Sequence, residues 1–231
     1  MTRRRRWILG VGGLVVLLAL GFWAVPVPSE ALKQGVAPSL RLTDRHGTVL
    51  REFLSSDEGT SAWVDLDRIS PDLVTCTLAA EDHRFWSHLG VDPIGVLRAA
   101  VGNARAGHVV SGASTLAMQW IGNATNHHPR TLGGKAWQGL QAMRLMTMLS
   151  RRELLERYLN TVPYGHQTFG AEAAARFYFN RSANSLSLAQ CAWLAAIPAA
   201  PAYFDGLAEP DRVRGRERDI LAALQALGWV P

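Results

Sequence analysis

The chain has 231 residues, 48% of them hydrophobic, and a formal net charge of +5 from 24 Lys and Arg against 19 Asp and Glu. Four of the cations are Arg3 to Arg6, and without them the balance is 20 against 19, so the surplus belongs to the N-terminus and gives no ground for nucleic-acid binding. The length suits one globular domain with an appendage, and no internal repeat or low-complexity segment divides it.

In chain order, residues 1–6 read as a basic tail and residues 7–25 carry no charge. As a helix that second stretch reaches about 28 Å, close to the roughly 30 Å of a bilayer core. Trp7 and Trp23 lie near its ends, where indoles favour the interface. The arginines favour the cytoplasm, which places everything after Pro26 outside. A cleaved signal peptide would carry a shorter apolar core and a small-x-small site, for which Gly21-Phe22-Trp23-Ala24 is a poor candidate. A retained transmembrane anchor over 7–25 is therefore expected. Residues 26–38, rich in Pro, Ala and Gly, predict a stalk, and 39–231 the folded domain.

"SLRLTDRHGTVLREF" alternates apolar and polar residues around His46-Gly47 and predicts a hairpin. Ser70-Pro71 opens a helix over 71–82, with Ser as N-cap and Pro at the first helical position. Helices follow over 92–106, from about 114, and over 135–149. Ser150 and Glu153 form a capping-box pattern before "RELLERYLN", leaving Glu156 and Arg157 for solvent. Ser187 and Gln190 repeat the pattern before "CAWLAAI", which Pro198 stops, and a last helix fills about 211–227. The fold class is mainly α, with a core to match its size. Cys76 and Cys191 each sit in an apolar helical pattern; an extracytoplasmic setting permits a disulfide, but buried free thiols are the expectation.

"TCTLAAEDHRFWSHLG" puts a carboxylate where the core should be. Glu81 lies seven residues after Val74, four after Thr77 and three after Leu78, on the apolar face. A carboxylate there is costly to ionise unless solvated or hydrogen-bonded, which suits a general base; the alternative is a helix-end ion pair with Arg84 or His88. "SGASTLAMQ" runs a Gly-rich turn into a helix N-terminus at Ser114 and Thr115, either an anion site or an ordinary cap, and not a P-loop. Arg130 and Lys135 flank the next helix start and suit phosphate. His127-His128 lack partners at metal-ligand spacing and read as a solvated loop, so no metal site is predicted.

These stretches, in this order, resemble the glycosyltransferase domain of class A penicillin-binding proteins, family 51. "EDHRFWSHLGVDP" is similar to its first motif, "SGASTLAMQ" to its second, "RTLGGKAWQGLQAMRL" to its third, "SRRELLERYLNTVPYG" to its fourth and "LSLAQCAWLAAIPAAPAYF" to its fifth. The wording is most similar to the 1C type, over roughly residues 40 to 229.

The resemblance implies a lysozyme-like, mainly α domain on the bacterial inner membrane, behind one N-terminal transmembrane helix, with the catalytic domain extracytoplasmic. It implies a peptidoglycan glycosyltransferase that joins lipid II to a growing glycan chain and releases undecaprenyl pyrophosphate. Glu81 would be the base on the acceptor's 4-hydroxyl; Asp82, Phe85 and His88 would shape the cleft; Ser114, Thr115 and Gln119 would line the donor site; Arg130 and Lys135 would face the pyrophosphate. Partners would be lipid II, the membrane and other cell-wall synthases; no cofactor is required, with Mg2+ possible.

The chain departs from the pattern at Gln138, where Glu is common though the 1C type shares Gln, at Gly122, where a basic residue is usual, and at Ala117 and Ala199. No Ser-x-x-Lys transpeptidase motif follows, since "STLA" at 114–117 lacks the Lys. Two other readings are a weakened relative that binds lipid II or partner synthases without polymerising, and a lysozyme-like hydrolase.

Overall fold

The computed structural model describes residues 3–33, 39–46, 49–53, 59–108 and 112–230. Helix α1 is Arg3–Trp23 and a single turn, α2, is Ser29–Leu32. Strands β1 (Leu40–Thr43) and β2 (Val49–Phe53) pair antiparallel, as the alternating pattern predicts, with Leu40 opposite Phe53; Gly47 of the expected turn lies outside the described residues. A second pair, β3 (Thr60–Ser61) and β4 (Thr168–Phe169), is parallel and too short for periodicity to reveal. The body is helical: α3 (Pro71–Glu81), α4 (Pro93–Ala106), α5 (Leu116–Thr125), α6 (Leu132–Leu145), α7 (Arg151–Thr161), α8 (Ala171–Phe179), α9 (Leu188–Ala196) and α10 (Pro210–Ala226).

The core is built where α3 packs on α9, α9 on α10 and α5 on α6. Leu73 and Cys76 of α3, Leu194 and Ala195 of α9, and Ile220 and Leu224 of α10 are all buried within it. Both cysteines are free and buried, and burial pushes Cys76 up to about 12 and Cys191 up to about 11. At α9 the capping box of Ser187 and Gln190 is complete, whereas at α7 only half forms: Ser150 Oγ accepts from Glu153 N, but the Glu153 carboxylate turns to Arg157. Ser70 is the N-cap residue of α3, yet its hydroxyl makes no cap and instead accepts from Cys191 Sγ at 3.7 Å. Helix α6 begins earlier than expected because Thr131 caps it, its Oγ1 accepting from Gly134 N.

The segment expected to be a stalk is docked where it is described. Trp120 Nε1 donates to Ala31 O at 2.9 Å, Arg157 donates to Leu32 O and Lys33 O, and Ala31 is fully buried. Glu156 likewise accepts from Leu66 N, so neither Glu156 nor Arg157 is left to solvent as the sequence suggests. Among the described residues no helix is long and apolar enough to cross a membrane. The side chains of residues 3–6 and 8–10 in α1, which include part of the anchor expected over 7–25, lie outside those described.

Helix α8 is absent from the sequence expectation. It starts after Gly170, at φ 83, with no side-chain cap, so no N-cap residue announces it. A Cβ on Gly170 would lie 2.4 Å from Asn160 O of α7. Gly170→Ala is therefore expected to cost at least about 1–3 kcal/mol from the left-handed backbone, with the clash added, as a lowered urea midpoint at unchanged slope.

Candidate active site

Glu81 ends α3 at the wall of a cavity of about 740 Å³. Its Oε2 accepts from Gln119 Nε2 at 2.8 Å, and its Oε1 lies 3.3 Å from an Arg216 guanidinium nitrogen. Neither partner expected for a helix-end ion pair is used: Arg84 pairs with Asp92, and His88 with Asp82. The chain of contacts continues inward, since Tyr158, wholly buried, donates its hydroxyl to Gln119 Oε1 at 3.0 Å. That bond fixes which end of the Gln119 amide faces Glu81. Burial pushes the Glu81 carboxyl above the usual range, while the Gln119 hydrogen bond and the Arg216 charge pull it down. Glu81 is the only carboxylate among the described residues lining the cavity.

Arg216 was not legible as a site residue. It stands in "DRVRGRERD" on α10, which reads as a solvated charge run. The fold brings it to Glu81 and sets its guanidinium 5.5 Å from the centroid of Phe204.

Asp82 does different work from its neighbour. It is buried, with Oδ1 2.8 Å from His88 Nε2 and Oδ2 accepting from Leu116 N at 3.0 Å. Its carboxylate therefore occupies the N-terminus of α5, where the helix dipole favours an anion. Thr115 is buried too: Oγ1 accepts from Met118 N and donates to Gly90 O at 2.6 Å. The amides of Leu116 and Met118 are thus already taken, and the turn is a cap. Phe85 is core, 1% exposed and edge-on to Trp86 and His88, and is not among the cavity's lining residues.

Ser114 and Gln119 line the cavity with Glu81, and Lys135 Nζ donates to Ser114 Oγ at 3.1 Å. Arg130 is exposed on the loop before α6 and is not among the cavity's lining residues. Gln138 is buried on α6, facing Gly122: a Cβ on Gly122 would lie 3.2 Å from Gln138 Nε2 and 2.6 Å from His128 Nδ1. His128 lines the cavity, as do His83 and Arg98, whose side chains meet at 3.1 Å. His128 stands exposed on its loop, as the sequence predicts, while nothing in the sequence marks His83 or Arg98 as cavity residues. The donor set does not suit a hard divalent ion, because Asp82 is committed, Gln138 is an amide and Glu81 faces a guanidinium. Among the described residues no cluster of three His, Cys, Asp or Glu is placed to hold a metal.

A half-buried carboxylate with two fixed donors, facing a cavity that also holds His83, Arg98, His128 and Arg216, can accept a proton from a hydroxyl and leave an anion to those basic groups. A family description, Transglycosylase, matches residues 46–225. Penicillin-binding protein 1A of Aquifex aeolicus (strain VF5) is 30% identical over 98% of this chain and 32% of its own length. Penicillin-binding protein 1C of Escherichia coli (strain K12) is 33% identical over 99% of this chain and 29% of its own. The 1A protein of Neisseria gonorrhoeae is 40% identical over 93% and 26%. The chain thus spans about a third or less of these relatives. A crystal structure of penicillin-binding protein 1A from Haemophilus influenzae gives a TM-score of 0.47 at 19% identity, over 85% of this chain and 19% of that one.

Proposed function

The chain belongs to the transglycosylase family, and from that premise we propose that it polymerises lipid II into glycan strands, with Glu81 as the base. The acceptor's 4-hydroxyl gives its proton to Glu81 as its oxygen bonds the donor's anomeric carbon. The bond from that carbon to the diphosphate breaks, and its electron pair leaves with undecaprenyl diphosphate. Lys135, whose Nζ donates to Ser114 Oγ at the cavity wall, is the cation this reading assigns to that charge. The observation that carries this reading is the single carboxylate of the cavity, oriented by Gln119 and Arg216. It favours a transferase over a glycan hydrolase of the usual two-carboxylate kind, because Asp82 is turned away into the α5 N-terminus.

The substrate's lipid tail calls for a bilayer surface, and two features support one. The charge-free stretch 7–25 behind Arg3 to Arg6 suits a single-pass anchor with its N-terminus cytoplasmic. Helix α4 also exposes Ile94, Leu97 and Val101 on one stripe, and Trp86 and Leu89 of the preceding segment are exposed as well, apolar surface of the kind that beds into a membrane.

The test gives the purified chain labelled lipid II in detergent, with and without moenomycin. Moenomycin-sensitive glycan strands support the proposal. Lipid II that is bound but left intact favours the non-polymerising relative, and breakdown of preformed glycan favours the hydrolase.

Arg216→Gln gives a second expected outcome. The base works only when ionised, and Arg216 pulls its pKa down. Without the guanidinium that pKa rises, so the acid limb of the kcat/KM profile moves to higher pH and the loss is larger at about pH 6 than at about pH 8. A uniform loss at every pH would assign Arg216 a purely structural role.

A further inference from the structure

Two of the four departures from the family pattern, Gly122 and Gln138, meet at one point in the fold, and the ring of the exposed His128 lies over it. Helix α5 ends in Asn126, left-handed at φ 48, and His127 N donates back to Gly122 O at 3.0 Å. The reversal lays the His128 ring over the bare face of Gly122. A Cβ there would lie 2.6 Å from Nδ1 and 2.7 Å from Cε1, so a side chain at 122 and this placement of His128 exclude one another. From that position His128 lines the cavity that holds Glu81, Ser114 and Arg216.

We propose that His128 is an anion ligand of the cleft, donating a hydrogen bond to the diphosphate of the lipid-linked sugar at the place that Gly122 vacates. The proposal rests on the glycosyltransferase reading above. The surroundings choose the sign of the ligand's charge. On its own loop His128 neighbours His127, and α6 presents Lys135 and the neutral Gln138. A second cavity, about 580 Å³, opens on its other side and is walled by Glu30 and Lys33. Glu81, across the reaction cavity, is paired with Arg216. A cation approaching His128 would meet Lys135, whereas a diphosphate could bridge the two.

The same surroundings make the contact responsive to the ligand. Partial burial, then Lys135 and His127, hold the His128 imidazole below its ordinary pKa, so it is readily neutral in the free protein. A bound dianion reverses the balance, and binding takes up a proton. Affinity is then highest at low pH and declines as pH rises through the His128 pKa of the complex. A carboxylate at 138 would oppose this by holding the ring charged at rest; the amide of Gln138 does not.

The experiment measures binding of lipid II in detergent to the full chain carrying Glu81→Gln, which blocks turnover. The diester diphosphate of lipid II does not itself titrate near neutrality. His128→Gln is expected to weaken binding about tenfold at roughly pH 6 and to flatten its pH dependence. The double variant His128→Ala with Gly122→Lys supplies a permanent cation from the other side of the same gap. It should regain most of the affinity and bind independently of pH, which a structural role for His128 does not predict. Binding that is indifferent to His128 overturns this proposal alone. A failure of the chain with native Gly122 and His128 to bind lipid II at any pH overturns the functional reading and this proposal with it.

Discussion

Glu81→Gln is expected to lower the polymerisation rate by about 10²–10⁴-fold, the range for loss of a general base, while leaving the fold and the affinity for lipid II close to those of the parent. The substitution is nearly isosteric. One amide oxygen can still accept from Gln119 Nε2, so the wall of the cavity keeps its shape. What is lost is the lone pair that, in the proposed mechanism, takes the 4-hydroxyl proton. The NH₂ group would also face the Arg216 guanidinium, donor to donor, and Arg216 is held near Phe204 rather than free to withdraw. A modest stability loss is therefore expected beside the large rate loss. Thermal unfolding and lipid II turnover on the same preparations separate the two, since a folding defect would lower rate and active fraction together.

Asp82→Ala should be the most destabilising single change in the site, by about 3–5 kcal/mol, although its neighbour is the proposed base. The Asp82 carboxylate bridges three parts of the chain: its own position after α3, His88 in the next loop, and the first amide of α5. Removing it leaves a buried imidazole nitrogen and a buried N–H without partners and strips the anion from a helix N-terminus. Among the described residues His88 Nδ1 has no hydrogen-bond partner, so the ring has no second hydrogen bond to fall back on. Asp82→Asn should cost less, because an amide oxygen can still accept from Leu116 N. Urea denaturation of the two variants checks the order; equal midpoints for Asp82→Ala and the parent would refute the bridging role.

Much of this was legible in the sequence where local rules act. The α3 register put Glu81 on the apolar face, and Pro71, Ser187 with Gln190, and the alternation in "LRLT" and "VLREF" marked their elements by capping and period. The division of labour between Glu81 and Asp82 was not legible, because adjacent carboxylates are told apart only by what reaches them. Leu116 lies 34 residues from Asp82, and Arg216 lies 135 from Glu81. The proposed role of His128 was out of reach for a related reason: the placement of the ring depends on a missing side chain at 122 and on a left-handed turn at Asn126. Absences and turns of that kind leave no periodic trace. Helix α8 was missed because a glycine with positive φ opens it and tertiary packing, not a cap, sets its start.

The most direct test of the account follows sugar and lipid in one tube, using lipid II labelled on both, with the parent and Glu81→Gln compared at matched lipid II occupancy. The account predicts that the parent builds glycan strands and releases one undecaprenyl diphosphate for each bond formed, while Glu81→Gln binds as well and builds strands at least about a hundredfold more slowly. Strand growth at the parental rate by Glu81→Gln, or lipid release from the parent without strand growth, would contradict it.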